Sequence, residues 1–328
     1  MNPLTLATLR LLSDGGLRSG EQMAAALGVT RATVWNAMRE AESLGLEVQR
    51  LRGQGYRLAA SPAWLDANRI TAALGAGGAR FQVQVAEAVD STNTRLLAAA
   101  AAGAPTGSVL AAELQTGGRG RRGRAWTSGL GSSLTFSLLW RFEQGAAGLS
   151  GLSLAVGVAV AQALAAAGAS GIGLKWPNDI LFQGRKLGGI LVELQGDALG
   201  PAAAVVGIGI NVRLPAPLRA AVEQPVADLA EAGCIPERNG LLAGLLARLA
   251  EVMERFTAEG FGPFESAFRA LHVLHGQAAQ VLLPDGRVLQ GVVEGTGGDG
   301  ALLLRTAQGV VRLHGGEASL RAAGAVLP

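Results

Sequence analysis

Apolar positions near the start of the chain recur with helical spacing. Leu4, Leu9, Leu11 and Leu12 open a short stripe, and Ser19-Gly20-Glu21-Gln22 then has capping-box spacing ahead of Met23, Ala26 and Leu27, with Gly28 as the stop. Thr30 is placed to cap a third segment in which Val34, Met38 and Ala41 fall at i, i+4 and i+7. Ala37 and Leu44 extend that stripe and Gly45 ends it. The arrangement predicts a helix-turn-helix. The period then changes to two: Leu46-Glu47-Val48 and Tyr56-Arg57-Leu58 alternate around Arg50, Arg52 and Gly53-Gln54-Gly55, as a short hairpin or wing would. Ser61-Pro62 marks a boundary.

From about residue 64 to 270 strand and helix patterns alternate. Strands are expected around Val83 and Val85, and over 109–114, 134–140, 172–175, 190–194 and 204–210. Helices are expected over 92–102, capped by Asp90 or Ser91 and ended by Gly103, over 152–167, and along the amphipathic stripe Leu241, Leu242, Leu245, Leu246, Leu249, Met253 and Phe256. The alternation predicts a mixed sheet backed by helices. Beyond about 275, short strands at 281–283, 288–293, 301–304 and 310–313 lie between glycine turns, including Pro284-Asp285-Gly286, and predict a small β-barrel. The expected fold class is α+β: a winged helix-turn-helix over 1–62, a central mixed sheet with helices over 63–272, and a small SH3-like β domain over 273–328.

Composition narrows the chemistry. Hydrophobic residues make up 49% and charged residues 16% of 328, which excludes a disordered chain, and the 48 glycines follow no collagen-like period. Cys234 is the only cysteine, so no internal disulfide framework or multi-thiolate metal site is expected, in keeping with a reducing cytoplasm. The three histidines, His272, His275 and His314, all lie beyond residue 270, which makes imidazole catalysis at an upstream site unfavourable. The N-terminal stretch has neither a basic leader region nor a cleavage motif, so no signal peptide is expected. Residues 145–174 carry no charge, but their bulk is Ala, Gly and Ser, so a buried helix is expected there rather than a membrane span.

Four arginines and four glycines in residues 117–124 leave almost nothing to pack, which predicts a mobile cationic loop that an anion would order. Gly118, Gly120 and Gly123 match G-x-G-x-x-G, but the segment continues through Trp126-Thr127-Ser128-Gly129 into a strand, whereas a dinucleotide motif opens a helix. Taken alone, the segment reads equally as an anion-binding loop or a nucleic-acid arm. Only two lysines occur among 28 basic residues, Lys175 and Lys186, and both fall within twelve residues. Neither belongs to a P-loop. In the N-terminal part, Arg31, Ala32, Thr33, Trp35 and Asn36 are candidates for the DNA major groove and Arg50, Arg52 and Arg57 for phosphates; the alternative is a protein-binding helical domain.

The segments Asp90-Ser91-Thr92-Asn93, Gln115-Thr116-Gly117-Gly118-Arg119-Gly120-Arg121-Arg122-Gly123-Arg124, Lys175-Trp176-Pro177-Asn178-Asp179 and Gly207-Ile208-Gly209-Ile210-Asn211, in this order, resemble the biotin protein ligases. With the N-terminal pattern and the terminal β segment, the chain resembles their bacterial bifunctional form, ligase and biotin operon repressor. That resemblance implies formation of biotinyl-5'-AMP from biotin and Mg²⁺-bound ATP, then transfer of biotin to a lysine of the biotin carboxyl carrier protein of acetyl-CoA carboxylase. It implies catalytic roles for Lys175, Arg119 and Arg121. Biotin contacts would come from Ser91, Thr92, Asn93, Gln115, Arg119, Gly120, Arg121, Lys175, Gly188 and Gly189, and ATP or adenylate contacts from Gly118, Arg122, Arg124, Trp126, Asn178 and Asn211. Asp179 would hold Mg²⁺, and Glu317 and Arg321 would approach the nucleotide. Operator DNA and an adenylate-dependent homodimer are the further partners implied, with no membrane. By spacing alone, Ser91 to Asn93 read equally as helix caps, Gln115 as a strand-end amide, Trp126 as core, Asp179 as a turn cap and Lys186 as a solvated hairpin residue. The family commonly has alanine where Gly188 stands, and Ile208 is bulkier than its usual counterpart. Two other readings are a biotin-sensing transcription factor without ligase activity and a lipoate protein ligase.

Overall fold

The computed structural model describes residues 2–60, 62–197, 199–283, 285–315 and 319–322. Helix α1 spans Pro3–Leu11. Helix α2 (Gly20–Leu27) starts on the expected capping box: Ser19 Oγ accepts from the Gln22 backbone N–H, and Gln22 Oε1 accepts from that of Ser19. It ends on Gly28, whose φ of 66° suits glycine. Thr30 caps α3 (Arg31–Ser43), which turns Val34, Ala37, Met38 and Ala41 inward. Strands β1 (Val48–Leu51) and β2 (Gly55–Leu58) pair antiparallel as the wing. Leu6, Leu9, Leu12, Met23, Val34, Met38 and Leu58 form a core that continues into Leu114 and Leu130 of the central part. The helix-turn-helix unit is therefore packed directly onto the central part.

The central part runs α4 (Ala67–Leu74), β3 (Gln82–Val89), α5 (Thr92–Ala101), β4 (Ser108–Gln115), β5 (Ser133–Phe142), α6 (Leu152–Ala166), β6 (Ile172–Lys175), β7 (Asp179–Phe182), β8 (Arg185–Gly196), β9 (Ala202–Asn211), α7 (Ala216–Ala220), α8 (Arg238–Glu259) and α9 (Glu265–Leu271). Its seven strands lie in the order β3-β4-β5-β9-β8-β7-β6. The β3–β4 pair is parallel and the others are antiparallel, so the sheet is mixed, as expected. Helices α6 and α8 cover one face, meeting Ala204, Val206, Ile208 and Ile210 of β9. Helix α5 covers the other, over Ala203 and Val205. Residues 146–166 are long and apolar enough to cross a membrane, yet most of that stretch is buried in this core.

A buried ion pair ties the start of this part together. Arg238 donates to Glu113 Oε2 at 2.7 Å, to the Ser133 carbonyl at 3.1 Å and to the Ala63 carbonyl at 2.6 Å, while the other Glu113 oxygen accepts from the Leu65 backbone N–H. Asn239 adds a hydrogen bond to the Trp64 carbonyl at 3.1 Å.

Strands β10 (Ala278–Leu282), β11 (Val288–Thr296), β12 (Leu302–Thr306), β13 (Gly309–Leu313) and β14 (Ser319–Ala322) form an antiparallel sheet in the order β13-β12-β11-β10-β14. This five-stranded antiparallel sheet is consistent with the small β domain expected here, with no β13–β14 pairing among the described residues. Pro284 of the expected turn and Glu317 lie outside the described residues. The sheet shares its core with the central part through Ala279, Val281, Val293, Leu302 and Leu304. Beside this junction His272 stacks on Phe268 at 5.2 Å between ring centres. Burial, aided by His275 and Lys175, pushes its pKa down to about 4, so it is a neutral packing group at physiological pH.

Candidate active site and DNA-facing surface

A cavity opens where α5 begins. Along β9 the side-chain alternation puts Ala203 and Val205 beneath α5, and Gly207 and Gly209 further along the same face, with Gly207 under Asn93 in the first turn of the helix. Gly189 of β8 pairs with Gly209. These glycines give the cavity a backbone floor. A Cβ on Gly207 would stand 2.2 Å from Asn93 Oδ1, and one on Gly209 2.4 Å from the Trp126 indole, so both positions require glycine. The side chain of Ile208, for all its bulk, belongs to the core on the opposite face. Trp126 lines the cavity and packs against Gly209, with its buried indole N–H lacking a protein acceptor.

At one end the expected polar group is assembled. Gln115 Oε1 accepts from the Thr92 backbone N–H at 2.7 Å and from Thr92 Oγ1 at 3.0 Å. Ser137, on β5, donates to Asn93 Oδ1 at 2.6 Å and stands 2.7 Å from Thr92 Oγ1. Ser91 caps α5 and also lines the cavity, so its two readings are compatible. The cluster is buried and mutually bonded, which holds each donor and acceptor in one orientation.

At the other end Asp179 receives both lysines, Lys186 Nζ at 2.6 Å and Lys175 Nζ at 3.2 Å. Burial opposes ionisation of Asp179, but Lys186 and Lys175 outweigh it and hold the carboxyl below its ordinary range. A bulge makes this possible. Asp179 pairs with Gly189 and Ile180 with Gly188, but the register then shifts so that Leu181 faces Lys186. In the unshifted register Lys186 would oppose Phe182 and point to the other face. The structure thus brings Lys186 to the cavity with its side chain only 20% exposed, unlike a solvated hairpin residue. Gly188, which pairs with Ile180 before the bulge and with Ile210 of β9, takes the core face by ordinary alternation: a Cβ there would meet the Gly209 carbonyl at 2.6 Å, so Gly189 lines the cavity and Gly188 does not.

The arginine loop closes over both ends. The Trp126 backbone N–H donates to the Gly118 carbonyl at 2.8 Å and that of Gly120 to the Arg124 carbonyl at 2.7 Å, and the glycines open only one 3-10 turn, Arg121–Gly123, rather than the α-helix of a dinucleotide motif. The loop is held by the protein's own acceptors. Arg121 donates to Asn178 Oδ1 at 3.2 Å and to the Gly315 carbonyl beside the C-terminal sheet. Burial lowers its guanidinium pKa, with Asp179 opposing. Arg119 reaches Thr94 and Glu193. Gly120, Arg122, Arg124 and Arg321 also line the cavity.

Besides Gly188, two expected contacts lie away from the cavity. Gly118 does not line the cavity; it packs beneath the Trp126 carbonyl. Asn211 is buried and donates to the Ala227 carbonyl at 3.0 Å and the Lys186 carbonyl at 3.4 Å, tying residues 225–229 to β8 rather than facing the cavity. Asp179 lines the cavity as counter-ion of two ammonium groups, and no cluster of three or more metal-ligating side chains occurs among the described residues.

On α3, Arg31, Ala32, Trp35 and Asn36 are exposed, and Thr33 is half-buried beside its cap Thr30. Trp35 is 42% exposed with the Arg39 guanidinium 4.9 Å over its ring. Arg52 is exposed on the wing, whereas Arg50 is held bidentately by Glu42 at 2.8 and 3.1 Å and Arg31 pairs with Glu21. The outer side of the helix and the wing thus share one polar surface opposite the core.

Residues 85–211 match the biotin/lipoate A/B protein ligase family and residues 5–57 match the HTH domain. The bifunctional ligase/repressor BirA of Salmonella typhimurium is 38% identical over 322 residues, and that of Escherichia coli 37% over 323, each match covering 98% of both chains. The biotin--[acetyl-CoA-carboxylase] ligase of Mycobacterium tuberculosis is 35% identical over 74% of this chain and 91% of its own. Among solved structures, the biotin protein ligase of Aquifex aeolicus in complex with biotin and ATP superposes with a TM-score of 0.63 at 31% identity, over 74% of this chain and 99% of that one. With helix-turn-helix, arginine loop and lysine pair all in place, the chain belongs to the biotin protein ligase family, in the branch whose members join a DNA-binding domain to the ligase.

Proposed function

We propose that this protein is an ATP-dependent biotin protein ligase and a biotin-responsive repressor of biotin-synthesis genes. The reading is carried by one cavity with a satisfied polar cluster at one end, a Lys-Asp-Lys group at the other, and an arginine loop across both. Biotin's ring fits the Ser91, Thr92, Asn93 and Gln115 end, its apolar body lies on the glycine floor, and its carboxylate is directed to the lysines. A carboxylate oxygen attacks the α-phosphorus of Mg²⁺-bound ATP, the bond to the terminal diphosphate breaks, and pyrophosphate leaves. Negative charge grows on the α-phosphate oxygens, where Lys175, Lys186, Arg119 and Arg121 are pre-placed to meet it. Asp179 keeps both ammonium groups aimed at the site. Mg²⁺ enters with the nucleotide as part of the substrate.

In the second step the uncharged amine of an acceptor lysine on the biotin carboxyl carrier protein attacks the acyl carbon. The acyl–oxygen bond breaks, AMP leaves and the nitrogen loses a proton. No side chain of this protein forms a covalent intermediate, so catalysis rests on position and fixed charge. The loop over the cavity shields the mixed anhydride from water. In the repressor role the adenylate-bound chain forms a homodimer that binds operator DNA, and unmodified carrier protein competes for it, in the cytoplasm.

Purified protein given Mg²⁺-bound ATP should release pyrophosphate with biotin and not with lipoate, and mass spectrometry should find the biotinyl adenylate. Release with lipoate alone would move the chain to lipoate ligation, and release with neither acid would leave the ligand-sensing reading. Trp35→Ala should weaken operator binding by ~1–2 kcal/mol, roughly tenfold, by gel shift, with pyrophosphate release unchanged. Lost ligase activity in that variant would contradict the assignment of separate tasks to α3 and the cavity.

A further inference from the structure

We infer that Glu193, which does not line the cavity, is a positioning residue that joins the biotin-ring cluster to the arginine loop; the inference rests on the ligase reading above. Glu193 lies on β8, 26% exposed, behind the cavity wall. Its Oε2 accepts from Asn93 Nδ2 at 2.8 Å, and its Oε1 accepts from Arg119 Nη2 at 3.3 Å. Asn93 Nδ2 also donates to the Leu191 carbonyl at 3.1 Å, and Asn93 Oδ1 accepts from Ser137. The carboxylate therefore fixes which way the Asn93 amide points, because its oxygens can only accept and only the amide nitrogen can donate to them. Arg119 has one other side-chain partner here, Thr94 Oγ1 at 3.0 Å. A continuous chain of hydrogen bonds thus runs from Gln115 through Thr92, Ser137, Asn93 and Glu193 to Arg119.

The two halves of this link differ in strength. Asn93 is buried and cannot turn to water, whereas Arg119 is almost half exposed and its pairing is weak. Arg119 meets Glu193 and Thr94 through Nη2 alone, so its other N–H groups can turn to a phosphate oxygen while Glu193 keeps hold of the guanidinium and Asn93 stays fixed. Glu193 thereby keeps the loop and Arg119 in place over the adenylate.

Glutamine separates the two tasks, because its single acceptor oxygen can serve Asn93 or Arg119 but not both. The buried partner takes it. With preformed biotinyl adenylate, Glu193→Gln should lose the adenylate about three- to fivefold faster than wild type, the upper range for a half-exposed ion pair, with the KM for biotin changed less than about twofold. Glu193→Ala should show the same fast loss and a biotin KM raised about tenfold. Combining Glu193→Gln with Arg119→Ala should add nothing to the loss rate of Arg119→Ala alone, since both break one link. Wild-type retention by Glu193→Gln, or additive effects with Arg119→Ala, would overturn the inference. Identical profiles for the glutamine and alanine variants would overturn it too, since they would mark a merely structural role. Should the glutamine variant not fold, Glu193→Asp keeps the charge but is too short to span both partners and should reproduce the fast loss. A wild-type protein that makes no adenylate refutes the ligase reading instead. Fluorescence titration with biotin alone then still reads the Asn93 arm, and unchanged affinity in Glu193→Ala would sink it.

Discussion

Lys186→Ala is expected to slow biotin-dependent pyrophosphate release by roughly 10²–10³-fold, the scale on which losing one pre-placed transition-state contact acts. The ammonium group is 2.6 Å from a buried carboxylate and lines the cavity, so its charge is both fixed and partly desolvated. Such a group is worth more to a developing phosphate charge than one in water. The substitution also leaves Asp179 with Lys175 alone. The folded-state pKa of Asp179 lies below its ordinary value because Lys186 and Lys175 overcome burial. Removing Lys186 raises that pKa, so the acid limb of the rate profile should move to higher pH. This sign follows from a depressed carboxyl, whose contribution is present above its unfolded pKa and is lost as pH falls through the folded one. Lys186→Arg should recover part of the rate, because the charge returns with the wrong shape. Pyrophosphate release between pH 5 and 9, with thermal unfolding as the folding control, checks both statements. A fully active Lys186→Ala protein would remove Lys186 from the mechanism.

The largest stability effect should come from Glu113→Ala, a loss of about 3–5 kcal/mol read from urea unfolding. Glu113 is fully buried and Arg238 is 3% exposed, so the arginine cannot reach water once its carboxylate is gone. The Leu65 N–H would lose its acceptor in the same step. The Arg238 charge would then be buried without a counter-ion, held only by the Ala63 and Ser133 carbonyls, where the chain enters the central part. Replacing both charges, Glu113→Leu with Arg238→Met, should recover much of the loss, because an apolar pair carries no desolvation penalty. If the double variant is as unstable as the single one, the cost lies in packing rather than in the unpaired charge.

Local signals explain why some elements were readable in the sequence. The helix-turn-helix was legible because its caps and stops lie within a few residues of the helices they govern: Ser19 with Gln22, Gly28, Thr30 and Gly45. The short elements α4, β7 and β14 were not. Ile70 is the one fully buried side chain of α4, which leaves no stripe to see, and β7 is masked by the turn around Pro177. At the site, the arginine loop announced itself because arginines among glycines have no packing role. The placement of Lys186 did not, since it depends on a one-residue bulge between β7 and β8 that inverts the faces beyond it, and in Gly188-Gly189 neither residue carries an apolar signal to say which one faces the cavity. Asn211 was legible as a motif, but its bonds to residue 227 are set by a loop whose path no periodicity encodes.

An enzyme that makes an activated acyl group exposes itself to its own product, because any uncharged amine nearby can intercept it. In this chain the basic surface is built from arginine, whose guanidinium stays protonated and does not react as a nucleophile at neutral pH. Its only two side-chain amines are the lysines clasped by Asp179, both mostly shielded from solvent. Biotinyl adenylate that escapes the cavity therefore meets almost no accessible lysine on the protein that released it.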